Sequence, residues 1–91
     1  MDGVLIERRA MADAVEWATA WCDELAREER PLEGGWPGTL SEARRRVLAV
    51  MRGAPGPRLD AQATEQLVRR TYQVARRTWR ARCDDEVMTQ P

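Results

Sequence analysis

Between Gly3 and Pro91, every proline and glycine lies in one of two short segments, residues 31–38 and 53–57. Both residue types disfavour a helix interior, and dense clusters of them favour turns. The stretches between the clusters contain neither type and are rich in Ala, Glu and Arg, which are strong helix formers. No stretch shows the period-2 alternation of a strand. The sequence therefore predicts three helices and a tail that frays, at about residues 3–29, 40–52, 60–86 and 87–91.

The first predicted helix is amphipathic. Arg9, Asp13, Glu16, Asp23, Glu24 and Arg27 project to its polar half, and residues 1–30 together hold eight acids and four arginines. The polar half of this helix therefore carries a net negative charge. Its predicted apolar half consists of Val4, Met11, Ala14, Val15, Ala18, Trp21, Cys22, Leu25 and Ala26.

The other two helices have recognisable ends. Thr39 followed by Glu42 matches a capping box, and Gly53 is a natural stop for the short helix. Asp60 is a plausible N-cap for the last helix. The last helix has an apolar arc broad enough to touch more than one neighbour, so we expect it to be central. The arc comprises Leu67, Val68, Thr71, Tyr72, Val74, Ala75, Thr78, Trp79, Ala81 and Cys83.

Two long helices and one short helix indicate an all-α, three-helix bundle that forms a single domain over residues 1–91. A chain of 91 residues is near the lower end of what folds on its own core. The long pair should overhang the short helix and leave apolar surface uncovered. We therefore expect the bundle to dimerise or to bind another protein.

The tryptophans have two interpretations each. Trp36 lies in a Gly-Gly-Trp-Pro-Gly loop, where it either plugs the end of the bundle or serves as an exposed anchor for a partner. Trp17 and Trp21 are one helical turn apart and are either core residues or partner contacts. The residues that we predict for a partner or dimer interface are Trp17, Trp21, Trp36, Tyr72 and Trp79.

Residues 66–83 hold six arginines and no acid. Five of them form two rows on the last helix, with Gln66 and Gln73 between the rows and aromatic residues beside the first row, while Arg82 projects among apolar residues. Such a basic stripe suits either an acidic protein partner, a phosphate backbone with base stacking, or plain solvent. The net charge of zero weakens the nucleic-acid interpretation. The candidate residues are Arg69, Arg76 and Arg80 in one row and Arg70 and Arg77 in the other.

The sequence contains few residues of the kinds that catalyse reactions. It contains no histidine, which removes the commonest general base and metal ligand. Cys22 and Cys83 are far apart, lack ligand spacing, and are expected to be reduced and buried. The paired acids at 28–29 and 84–85 resemble solvated helix ends. We therefore predict no catalytic residue, no metal site and no cofactor.

All fifteen basic residues are arginine, which reflects either a GC-rich coding sequence or selection for forked guanidinium contacts. No apolar run reaches the roughly 20 residues of a membrane span, and the N-terminus does not resemble a signal peptide. We expect a bacterial, cytoplasmic, non-enzymatic interaction module, an adaptor, a regulator or a small subunit. A small nucleic-acid-binding protein is the alternative.

Overall fold

The computed structural model describes residues 3–27, 35–54 and 59–89, with the side chains of the last segment described up to Arg82. Three helices account for most of these residues: α1 (Gly3–Arg27), α2 (Leu40–Gly53) and α3 (Ala61–Thr89). The described residues contain no strand. The predicted all-α bundle of two long helices and one short helix is confirmed.

The helix ends follow local chemistry. The backbone N–H of Glu42 donates to Thr39 Oγ1 at 3.1 Å, and the Thr39 hydroxyl lies 3.4 Å from Glu42 Oε1. At the start of α3, the N–H of Ala63 donates to Asp60 Oδ1 at 2.7 Å. The contacts from the Glu42 and Ala63 N–H groups each satisfy a backbone donor that the first turn of a helix leaves without a partner.

At the other end, α3 continues to Thr89, into the segment that the sequence analysis assigned to a fraying tail. No proline or glycine stops the helix before Pro91. The predicted end of α1 near residue 29 lies outside the described residues.

Side-chain contacts fix the directions of the helices. Arg70 of α3 lies 3.4 Å from Glu7 of α1, and twelve residues further along both helices Arg82 donates to Thr19 Oγ1 at 3.2 Å. Because both contacts advance together, α1 and α3 run parallel. Arg9 instead reaches the carbonyl of Gly53 at the end of α2, while Arg46 at the middle of α2 pairs with Asp13, four residues further along α1. Thus α2 runs antiparallel to α1, which gives an up-down-up bundle.

The core face of α1 is rotated from the predicted one. Val4 and Val15, both assigned to the apolar half, are 47% and 43% exposed, and Ala26 is also exposed. The predicted face was wrong at these positions because α1 carries apolar residues around most of its circumference, so the period alone does not select the buried side. The buried residues of α1 are Ile6, Ala10, Ala14, Trp17, Ala18, Cys22 and Leu25.

The predicted arc of α3 does face the core. Leu67, Val68, Thr71, Ala75 and Trp79 are buried, and α2 adds Ala43 and Val47. The helix packs against both α1 and α2. This agrees with its predicted central place. None of the helices within the described ranges combines the length and apolar character that crossing a bilayer requires.

We expect Thr39→Ala to lower the free energy of unfolding by about 1 kcal/mol, because the Glu42 N–H would lose its side-chain acceptor. Ser41→Ala, at an exposed position of the same turn, is the matched control and should change stability by less than about 0.5 kcal/mol. Urea unfolding followed by circular dichroism measures both. Equal stabilities for the two variants would contradict the capping role.

Candidate protein-binding surface

Trp36 folds back onto the bundle beside the start of α2. Its ring meets the Trp17 ring edge-on at 5.1 Å between centroids, and it lies 6.1 Å from Trp79 and 6.5 Å from Tyr72. These four residues, here called the aromatic cluster, join α1, α3 and the loop before α2. Trp36 thus fills the gap between α1 and α3 where α2 has not yet begun. The geometry matches the plug interpretation and leaves the ring only partly exposed.

Two glycines allow this fold-back. Gly35 has φ +86°, a backbone conformation that residues with a Cβ rarely adopt. At Gly38, an added Cβ would lie 2.6 Å from Cε2 of Trp36 and 2.8 Å from Cζ2 of Trp17. Trp36 therefore approaches the backbone more closely than any side chain at position 38 permits.

The aromatic cluster is held by packing rather than by hydrogen bonds. Among the described residues, the buried indole N–H groups of Trp36 and Trp79 have no acceptor. On the other side of Trp17, the guanidinium of Arg46 lies 5.5 Å from the ring centroid and pairs with Asp13 at 3.0 Å. Arg46 therefore closes the cluster with a cation–π contact and a salt bridge.

The five aromatic residues predicted for an interface differ in how much of each side chain is exposed. Trp17 and Trp79 are 3% and 4% exposed, so they are core residues with almost no surface to offer a partner. Tyr72 and Trp21 are half-buried. Trp21 lines a groove of about 280 Å³ with Ala20, Glu24, Glu42 and Arg46. Trp17 also borders this groove, but Trp21 is the more exposed of the two.

The apolar surface that the bundle leaves uncovered lies mainly on α1. Most of the apolar arc of α3 packs against α1 and α2, and Leu67, Val68, Ala75 and Trp79 are buried there. Val4, Leu5 and Val15 are the large apolar residues of α1 that remain exposed. Beside them, a groove of about 410 Å³ between α1 and α3 is lined by Met11, Arg69, Arg70, Gln73, Val74 and Arg77.

We call this side of the bundle the outer face. It is the surface of α1 and α3 that includes the groove and is directed away from α2. On α1 it carries Val4, Met11 and Val15, which recur at helical spacing. On α3 it carries Arg70, Gln73, Val74 and Arg77.

The predicted arginine rows are exposed or half-exposed, and most of their charge is not neutralised. Within the described ranges, Arg70 pairs with Glu7, whereas Arg69, Arg76, Arg77 and Arg80 have no acidic partner. By contrast, Arg44 and Arg46 of α2 pair with Glu65 and Asp13 at 2.7 Å and 3.0 Å. The structure therefore concentrates unneutralised positive charge on the exposed side of α3.

The acidic and thiol groups form no site for chemistry in the described residues. No three Asp, Glu or Cys side chains there are grouped as a metal ion requires. Cys22 is buried, as the sequence analysis expects, and the side chain of Cys83 lies outside the described residues. Comparison with protein-family models, with curated proteins and with solved structures found no match.

Gly38→Ala should destabilise the protein by about 1–3 kcal/mol, because its Cβ forces Trp36 and Trp17 apart. Gly53→Ala is the control, since a Cβ there meets nothing within 4 Å. Thermal unfolding gives the stabilities, and tryptophan fluorescence reports whether Trp36 leaves the aromatic cluster. A Gly38→Ala protein with unchanged stability and emission would contradict the plug.

Proposed function

We propose that the protein is a non-enzymatic helical interaction module, such as an adaptor, a regulator or a small subunit of an assembly. It binds protein through the outer face. The observation that carries this proposal is the row of exposed apolar residues beside a groove with arginines at its rim. Leu40 and Leu48 of α2 are exposed as well, but among the described residues the groove with arginines at its rim lies beside the row on α1.

The apolar and charged groups of the outer face favour a protein as the binding partner. Burying a side chain such as Val15 or Leu5 completely is worth about 1.5–3 kcal/mol, which a partner helix with an apolar stripe gains on docking. The arginines at the rim orient such a helix by pairing with acids on its flank. Apolar centre and charged rim together form the common pattern of protein interfaces.

Nucleic-acid binding is the second candidate, because four arginines of α3 have no acidic partner among the side chains that the structure describes. Sequence-tolerant binding of single strands combines such charge with aromatic rings on which bases stack. Here the rings of Tyr72 and Trp79 are engaged by Trp36 inside the aromatic cluster. Glu7 also places a negative charge beside Arg70. We therefore rank protein binding first.

Location and source are part of the same proposal. We propose a bacterial, cytoplasmic protein, and the alanine-rich, lysine-free composition supports the bacterial source. No cofactor is expected for a module of this kind. Its partners are another protein, a second copy of itself, or both.

Val15→Glu tests the outer face. A carboxylate at the centre of an apolar contact should remove partner capture from the host lysate, because burying it costs more than the contact yields. Leu48→Glu is the matched control, since Leu48 is a similarly exposed aliphatic residue on α2. Quantitative mass spectrometry of nuclease-treated captures compares the variants. Loss with Leu48→Glu alone, or equal capture by all proteins, would refute the proposed surface.

The second candidate has its own test. A triple variant, Arg69→Glu, Arg76→Glu and Arg80→Glu, should abolish nucleic-acid binding if these arginines contact phosphates, and the fold should persist because all three lie outside the core. We expect wild-type binding to DNA or RNA to be weak or absent at physiological salt by fluorescence anisotropy. Sub-micromolar affinity that falls steeply with added salt and is lost in the triple variant would reverse our ranking.

A further inference from the structure

We propose that the groove on the outer face takes an acidic amphipathic helix of another protein, with the apolar stripe of that helix on the groove floor and carboxylates on both of its flanks. The inference rests on the proposed function, because it names the partner chemistry of the same surface. Two observations carry it, an apolar floor and arginines on both sides of that floor.

The floor of the groove is apolar. Met11 of α1 and Val74 of α3 line it, and both side chains are half-buried. Val4 and Val15 extend the floor along α1, because they lie seven residues before Met11 and four residues after it. The floor is therefore roughly 16 Å long, which is the length of about three helical turns. The unbranched side chain of Met11 can adapt to the residues of a docked helix.

Positive charge borders this floor on both sides. On the α3 side the groove is lined by Arg69, Arg70 and Arg77, all of them exposed. On the α1 side lies Arg8, which is also exposed and shares a helix face with Val15, seven residues further along. A helix docked on the floor therefore meets guanidinium groups along both of its flanks.

These arginines are available for a ligand. Among the described residues, no acid pairs with Arg8, Arg69 or Arg77. Arg70 holds Glu7 by a single contact at 3.4 Å, and more than half of its side chain is exposed. A guanidinium has five N–H donors, so Arg70 has donors left for a second carboxylate. The groove therefore keeps an excess of positive charge, which favours an acidic ligand.

The position of the groove suits a helix. It lies between α1 and α3 on the side away from α2, so a helix laid in it would contact both, as in a four-helix bundle. The chain already joins helices through arginine: Arg44 of α2 donates two hydrogen bonds of 2.9 Å to the carboxylate oxygens of Glu65 on α3. Carboxylates seven residues apart on the docked helix would reach Arg70 and Arg77 in the same bidentate way.

A nucleic acid fits this groove less well. The residues that line it include no aromatic ring on which a base could stack. A phosphate backbone would pair with the arginines but would gain nothing from Met11 and Val74. An acidic amphipathic helix uses the floor and both rims together, so it is the ligand that the groove favours.

A helix-display selection tests the partner chemistry. The library carries about four turns of helix with a fixed stripe of Leu and Ala, and its flanking positions vary among Glu, Gln and Lys. The wild-type protein is the bait at about 0.15 M salt, which screens long-range attraction. We expect the selected sequences to hold Glu on both flanks. The most enriched sequence, the consensus peptide, is then synthesised with a fluorescent label, and fluorescence anisotropy measures its affinity.

Charge reversal provides the variants. Arg69→Glu with Arg77→Glu should weaken binding of the consensus peptide by at least about tenfold, because each change turns attraction to a carboxylate into repulsion. Selection on this double variant should favour Lys on one flank, and selection on Arg8→Glu should favour Lys on the other. The control, Arg45→Glu with Arg52→Glu, reverses two exposed arginines of α2 and should bind like the wild type. Circular dichroism confirms that each variant is folded.

Three results would overturn the inference. The first is a selection without a preference for Glu, or a consensus peptide whose affinity the reversals at Arg69 and Arg77 leave unchanged. The second is a single-stranded DNA oligonucleotide that displaces the peptide at a lower concentration than the unlabelled peptide does, which assigns the groove to nucleic acid. The third is a wild type of twice the chain mass of 10.4 kDa in light scattering that the peptide converts to monomers, which assigns it to a second copy.

Whether the outer face binds protein at all is decided separately. If Val15→Glu removes capture and Leu48→Glu does not, the proposed function stands even when the selected flanks show no preference for Glu. Equal capture by both variants and the wild type overturns the proposed function, and the inference with it. Glu on both flanks, together with the loss of affinity on reversal of Arg69 and Arg77, supports the inference.

Discussion

The packing of Trp36 on Trp17 is the contact on which the bundle depends. α2 has 14 residues against 25 and 29 for α1 and α3, so one end of the long pair has no third helix beside it. Trp36 fills part of that gap and, with Trp17 and Trp79, supplies large apolar contact area. The indole N–H groups of Trp36 and Trp79 lack acceptors in the described residues, which costs about 1–3 kcal/mol each, so packing must outweigh that loss.

Because the aromatic cluster closes this end from within, the surface available for binding lies elsewhere. Arg46 and Asp13 cover the α2 side of Trp17, and α2 itself covers the adjacent side of α3. What remains is the outer face, where α1 exposes Val15 and α3 exposes arginines without acidic partners.

Much of the fold was predictable from the sequence, and the binding surface was less so. The two proline and glycine clusters fixed the number of helices, and the signals at Thr39 and Asp60 marked two of their starts. The arc of α3 was predicted because its polar residues are confined to one side. The buried face of α1 was mispredicted because apolar residues surround that helix. The location of Trp36 depends on where three helices leave a gap, which no local pattern contains.

The central claim is that the outer face, and not the aromatic cluster, is where this protein meets another chain. Methyl NMR spectra recorded as the consensus peptide is added test it directly without altering any residue. The account predicts that the Val4, Val15 and Met11 methyl signals shift with peptide concentration, whereas those of Leu48 on α2 do not. Signals of Val15 that stay constant while Leu48 shifts, or no shift anywhere in a protein that still binds the peptide, would contradict the account.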